Sequence, residues 1–310
     1  MILFLTLLLA LTLVQPVAPE DWCYESQAKK ISCTEPSKWS GNCQDKQQSP
    51  INIDTKSVLR NDSLKPFQFV NYDKKEARDI KNNGHSVQVD LSGSIKISQG
   101  GLPGTYKAAA FHLHWSNSVN QGSEHTIDGK SYAMEMHIVH IKDKYSSVSE
   151  ALNGDENNEI AVLGFLIKAS SEKHPGFSNL VENLKNIPYK SKFASLKEFS
   201  LSDLLPKVDK LKHYYRYQGS LTTPDCQEKV IWTVFQEPIQ LHEDQILEFS
   251  KQLFYNKENE EKMPIIDNFR KTQALGNRQV YTSGVGMALS HAWPTLLAPL
   301  LTYFLATSLH

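Results

Sequence analysis

Apolar and polar residues alternate in short runs through the middle of the chain. Val87 to Leu91, Ala110 to Trp115, Tyr132 to Ile141 and Val230 to Phe235 each carry the period of two expected of a β-strand. Turn residues punctuate them, as at Asn82-Asn83-Gly84 and Gly100-Gly101-Leu102-Pro103-Gly104. Helical period is confined to a few segments, chiefly Gly176 to Asn186 and Glu243 to Tyr255. The second opens with Glu243 and Asp244, acidic residues that complement the positive end of a helix. No repeat, low-complexity tract or Pro/Ser-rich linker interrupts the stretch from Asp21 to Tyr281. The pattern predicts one α+β domain: a large, mostly antiparallel twisted β-sheet with peripheral helices.

Both ends break this pattern. Ile2 to Val14 is almost wholly apolar and the small residue Ala18 follows, as in a secretory signal peptide, although no basic residue precedes the apolar run. Residues 1–19 are therefore expected to be removed. After Arg278 there is no Asp, Glu, Lys or Arg, and the chain closes on an apolar stretch, Thr295 to Leu309, interrupted by Pro299. A spanning helix needs about 20 apolar residues and usually a basic flank. Here Ser283-Gly284-Val285, a spacer and a short apolar terminus form instead the signal for a glycolipid (GPI) anchor. Ser283 is the expected attachment residue and 284–310 the discarded tail, with a single C-terminal span as the alternative. Residues 20–283 remain as the folded domain.

The net charge of −1 gives no reason to expect nucleic acid or an anionic membrane surface as a partner. Four cysteines, Cys23, Cys33, Cys43 and Cys226, read as two disulfides in an exported chain, with three pairings open. The long gap before Cys226 fits no short zinc-finger spacing. Asn61-Asp62-Ser63 is a glycosylation sequon at Asn61.

Candidate chemistry begins at Phe111-His112-Leu113-His114-Trp115. In a strand, residues two apart share a face, so His112 and His114 project together while Phe111, Leu113 and Trp115 turn to the other side. A second run, Tyr132 to Val139, places Ala133, Glu135, His137 and Val139 on one face. Glu135 can accept the free ring N–H of a metal-bound His137, which fixes its tautomer and raises its basicity. Alone, the first pair reads more readily as hydrogen-bonded core residues than as a metal site, and the second strand fits a salt-bridged, metal-free face equally well. Three neutral imidazoles on zinc would leave the ion doubly positive with one position open, the arrangement that makes hydroxide from water near neutral pH.

At this point the chain resembles the α-class carbonic anhydrases. Ser123-Glu124-His125-Thr126-Ile127, then Tyr132 and Glu135-Met136-His137-Ile138-Val139, are similar to the family signature throughout. So are Gln48-Ser49-Pro50-Ile51-Asn52-Ile53, Asn83-Gly84-His85-Ser86, Gly219-Ser220-Leu221-Thr222-Thr223-Pro224 and Asp267-Asn268-Phe269-Arg270. The leader, four cysteines and anchor signal are similar to the GPI-anchored branch of that family.

The resemblance implies Zn2+ as cofactor, held by His112, His114 and His137 and buttressed by Glu135, Asn268 and His125. It implies that Thr222 donates to Glu124 and so accepts from the zinc-bound hydroxide, since a hydroxyl has one proton to give. It implies an apolar carbon dioxide pocket of Val139, Val162, Leu221, Val230 and Trp232, with Thr223 contacting bicarbonate or an inhibitor. His85 is implied as the proton shuttle, a task suited to a side chain of pKa near 6.5. The implied bridges are Cys23–Cys33 and Cys43–Cys226.

The implied activity is reversible hydration of carbon dioxide outside the cell, inhibited by sulfonamides and anions and able to supply bicarbonate transporters. The alternative is a catalytically weak or inactive extracellular binding domain of the same family; inactive ones typically lack a zinc-binding His, and all three are present. Three departures stand out. Ala110 replaces a common Gln that supports the first ligand, Phe269 a Trp, and Asp225 a second Pro.

Overall fold

The computed structural model describes residues 22–283 with Ser92 excepted, so the expected leader (1–19) and tail (284–310) lie outside the described residues. The strands, in chain order, are β1 (Asn52–Ile53), β2 (Leu59–Arg60), β3 (Phe67–Val70), β4 (Glu76–Asn82) and β5 (Val87–Asp90). They continue with β6 (Lys96–Gln99), β7 (Tyr106–Trp115), β8 (Thr126–Ile127), β9 (Met134–Lys142) and β10 (Ile160–Ser170). The last are β11 (Phe193–Phe199), β12 (Tyr214–Gly219), β13 (Val230–His242) and β14 (Tyr281–Thr282). The α-helices are α1 (Glu25–Ala28), α2 (Val148–Leu152), α3 (Pro175–Asn183) and α4 (Glu243–Gln252).

A single 12-stranded sheet carries the fold, with its main path running β11-β4-β5-β7-β9-β10-β13-β12-β14-β2. Most neighbours are antiparallel, as the alternation predicts; β10 with β13 and β14 with β2 run parallel. The sheet is covered on both faces. Phe111, Leu113 and Trp115 of β7 join Met134, Met136 and Ile138 of β9 in a large apolar core. Their alternates on β10 and β13, namely Val162, Val230, Trp232 and Val234, belong to a second cluster. Successive strand residues point to opposite faces, so the two clusters lie on either side of the same sheet.

Helices α3 and α4 roof the first face. Phe177 and Leu180 of α3 and Ile246 and Phe249 of α4 enter its core, the Phe249 ring 5.4 Å from that of Trp115. Pro175 starts α3 where a missing N–H costs nothing. At α4 the His242 ring accepts from the Asp244 amide and Gln245 reaches back to the His242 amide, a reciprocal cap. The expected helix at 176–186 ends its α-turns at Asn183 and finishes as a 3-10 turn to Asn186. The one expected to reach Tyr255 stops at Gln252, because the Phe254 amide donates to Pro188 O instead (2.7 Å).

Two disulfides are formed, Cys23–Cys33 and Cys43–Cys226. The first closes the segment around α1. The second ties the N-terminal part of the chain to the loop that carries Thr222 and Thr223. Asn61 is partly exposed and its amide group caps the turn at Ser63.

Candidate metal centre

Strand pairing assembles the site. β7 and β9 run antiparallel with His112 directly opposite His137 and His114 directly opposite Glu135. Side chains facing each other across such a pair stand about 5 Å apart. One ring nitrogen from each of His112, His114 and His137 therefore falls within 4.8 Å of the others, a group suited to a metal ion.

The hydrogen bonds fix which nitrogen each ring presents. His114 Nδ1 lies 2.7 Å from the carbonyl oxygen of Asn268, which can only accept, so Nδ1 carries the proton and Nε2 is bare. His137 Nε2 lies 2.7 Å from Glu135 Oε1, again an acceptor, so Nδ1 is bare. These two bare nitrogens face each other at 3.0 Å. Two lone pairs at that distance repel unless something positive sits between them. The donor set thus fits a cation, and three imidazole nitrogens suit zinc.

Burial keeps the rings neutral. It lowers the His114 pKa to about 4 and also lowers that of His137, with Glu135 pulling partly the other way. His112 is held well below its usual value by its dense surroundings and by the two neighbouring imidazoles, although its edge remains open to solvent. Neutral imidazole is the ligand form.

Glu135 anchors more than one ring. Its Oε1 accepts from His137 and from His125 Nδ1 (2.7 Å), and its Oε2 accepts from the amides of Glu124 and His125. Burial pushes its pKa up, but His125 and His137 outweigh this and hold it well below the carboxylate range. His125 continues through Tyr217 to Ser49. Asn268 holds His114 by its carbonyl, the Trp115 amide by its Oδ1, and the carbonyl of His85 by its Nδ2 (2.9 Å).

Glu124 is 2% exposed. Its Oε1 accepts from the Arg270 amide (2.7 Å), while Oε2 lies 3.4 Å from His114 Nε2. Burial raises its pKa to about 7, opposed by His137, the Arg270 amide and the Thr222 hydroxyl. The Thr222 hydroxyl is thus close enough to favour the carboxylate, yet Oε2 has no aligned hydrogen bond among the described residues. A buried carboxylate oxygen that faces the bare imidazole nitrogens is a second feature completed by a cation and its ligands.

The apolar residues converge on the same face. Val162 pairs with Val139 on one side and Trp232 on the other. Val162, Val230 and Trp232 are buried in the second cluster, with Val139 and Leu221 packed at its edge. The Trp232 ring stands 4.8 Å from that of His137. Gly164 lies opposite His137, where a Cβ would crowd Glu135 Oε1 at 3.3 Å. Thr223 follows on the loop closed by Cys43–Cys226.

Ala110 does leave His112 without the support that a Gln would give. Opposite His112 lies Gln88, but its amide donates to Asp90 Oδ1 (2.7 Å). No described residue hydrogen-bonds the His112 ring. Sequence reasoning also gave no role to Arg270, whose guanidinium fixes Gln48, Ser49 and Cys43 by their oxygens while its amide holds Glu124. Nor did it find Trp22, whose ring stacks on His85 at 3.8 Å and 12°. The Arg270 motif was visible, but nothing in a sequence marks a backbone amide as the partner of a distant carboxylate.

Comparison with known proteins agrees with this geometry. The family described as eukaryotic-type carbonic anhydrase matches residues 34–284. The chain is 50% identical to carbonic anhydrase 4 of Rattus norvegicus over 98% of its length and 99% of that protein. It is 49% identical to carbonic anhydrase 4 of Oryctolagus cuniculus, covering 96% of this chain and 97% of that one. With carbonic anhydrase 3 of Homo sapiens it shares 37% identity over 78% of its length and 91% of that protein. The chain belongs to the eukaryotic-type carbonic anhydrase family.

Proposed function

We propose that this chain catalyses the reversible hydration of carbon dioxide to bicarbonate and a proton, with Zn2+ held by His112, His114 and His137. The observation that carries the reading is the pair of bare nitrogens, His114 Nε2 and His137 Nδ1, that face each other at 3.0 Å beside a third imidazole. Zinc on three neutral ligands supplies a hydroxide nucleophile near neutral pH.

The protein's own residues do the rest. Glu124, fixed by the Arg270 amide, accepts a hydrogen bond from the Thr222 hydroxyl, which leaves the Thr222 oxygen free only to accept. In that state the Thr222 oxygen would accept from the nucleophile that zinc would supply and so orient it. Val139, Val162, Leu221, Val230 and Trp232 offer carbon dioxide, a molecule without net dipole, an apolar wall. Thr223 contacts bicarbonate or an inhibiting anion, and His85 carries the proton out to buffer. Glu135 and Asn268 hold the His137 and His114 rings in the ligating tautomers, and His125 holds Glu135.

The proposed location is the outer face of the plasma membrane, through a GPI anchor at Ser283 after removal of 1–19 and 284–310. Among the described residues no helix is long and apolar enough to cross a membrane. At such a site the product would reach bicarbonate transporters. The test is hydration measured by stopped flow, with zinc counted in the same sample. A zinc-containing protein inhibited by sulfonamides is expected; a pure, folded protein that neither binds zinc nor hydrates carbon dioxide would be the binding domain instead. Release from cells by a phosphatidylinositol-specific phospholipase tests the anchor.

A further inference from the structure

The N-terminal segment makes a joint with the turn that carries His85. Gln27 lies on α1 and is 3% exposed, and both ends of its side chain are used. Its Oε1 accepts from the Tyr24 amide (2.9 Å) and its Nε2 donates to the carbonyl of Gly84 (3.2 Å). Gly84 immediately precedes His85. Five residues before Gln27, Trp22 stacks on the His85 ring, and Tyr24 stands edge-on to it at 6.4 Å.

The turn is otherwise tightly held. The Gly84 amide donates to Asn82 Oδ1, and the His85 and Ser86 amides both donate to Asn83 Oδ1. Asn268 donates to the His85 carbonyl. Gly84 has φ +88°, and a Cβ there would strike the Lys190 side chain at 2.8 Å. The backbone beneath His85 is therefore tightly held, and its ring meets the chain bearing Trp22, where Trp22 packs edge-on against Trp39 at 5.4 Å. That chain is closed on itself by Cys23–Cys33 and tied to Ile266 O by Ser26 (2.6 Å). Among the described residues, Gln27 alone fastens it by hydrogen bond directly to the residue next to His85.

We propose that Gln27 is a positioning residue for the proton-transfer step: by joining α1 to Gly84 it sets the seat of Trp22 against the His85 ring. Gln27 touches neither the metal ligands nor the apolar pocket, so conversion of carbon dioxide is independent of it. The inference rests on His85 as the proton carrier, and its test separates the two. An apolar isostere, Gln27→Met, removes both hydrogen bonds; Gln27→Glu keeps the acceptor for Tyr24 and removes the donor for Gly84.

Hydration is measured in weak and in imidazole-rich buffer for both variants and for His85→Ala, with zinc content confirmed. For the Gln27 variants, kcat in weak buffer is expected to fall about threefold or more, since small displacements of a reacting group are costly. Imidazole should restore it and kcat/KM should hold. Normal weak-buffer rates in both, beside a slow His85→Ala, overturn the role of Gln27 and leave the carrier in place. Equal losses in kcat and kcat/KM also overturn it, since that is a structural defect. A normal His85→Ala overturns the carrier and the inference together. Should Gln27→Met not fold, Gln27→Glu and the NMR titration of the His85 ring against wild type decide the matter.

Discussion

His114 Nε2 and His137 Nδ1 stand 3.0 Å apart with no proton between them, because each ring has already given its N–H to an acceptor behind it. The acceptors are the carbonyl of Asn268 and the carboxylate of Glu135. The outer partners therefore create the site as much as the ligands do. Glu135→Gln replaces an acceptor by a group that can also donate, which allows the other His137 tautomer. Zinc affinity is expected to fall about 10–100-fold, read by competition with a chelator. Unchanged affinity would mean that the tautomer is fixed elsewhere.

Thr222 and Glu124 are expected to act as one unit. Glu124→Gln and Thr222→Ala should each lower kcat/KM by about 100-fold, the scale set by misplacing a reactive group, with zinc still bound. The double variant should cost little more than either single one, because both remove the same orientation. Additive losses in this cycle would show two separate roles.

The Val162 side chain is 2% exposed between Val139 and Trp232. Val162→Tyr fills the proposed carbon dioxide space and is expected to lower kcat/KM at least about tenfold, with zinc retained. Overpacking costs about 1–3 kcal/mol, measurable by urea unfolding. A stability loss with unchanged kcat/KM would remove Val162 from the substrate wall.

Acid should unfold the metal-free protein in a defined window. His114 and His140 are buried neutral with pKa lowered to about 4, against about 6.5 when unfolded. The unfolded chain therefore binds more protons between these values, so stability rises with pH across the window and is lost as pH falls from 6.5 to 4. Each group contributes at most on the order of 3 kcal/mol. Glu124, raised to about 7, has the opposite sign between pH 4.5 and 7 and offsets one of them. A flat unfolding midpoint from pH 7 to 4 would contradict the buried neutral imidazoles.

How much of this was legible in the sequence differs by element. The strands holding His112, His114 and His137 show alternation because they carry imidazoles on one face and core on the other. β10 shows none, since Ile160 to Ile167 is buried on both sides and is apolar at nearly every position. It is nonetheless the strand that joins Val139 to Trp232. The buried state of Glu124 was invisible in pattern alone; only resemblance gave it a role. The link from Gln27 and Trp22 to the His85 turn had no sequence signal, because Gly84 and His85 lie more than 50 residues away.

In the proposed function three imidazoles hold one catalytic ion. Metal-free protein, prepared with a chelator and shown folded, should be titrated with zinc while carbon dioxide hydration is followed. No activity is expected at the start, then a linear rise to one equivalent of zinc and a plateau, with His137→Ala silent throughout. Hydration in the metal-free protein, or a rise that His137→Ala shares, would contradict it.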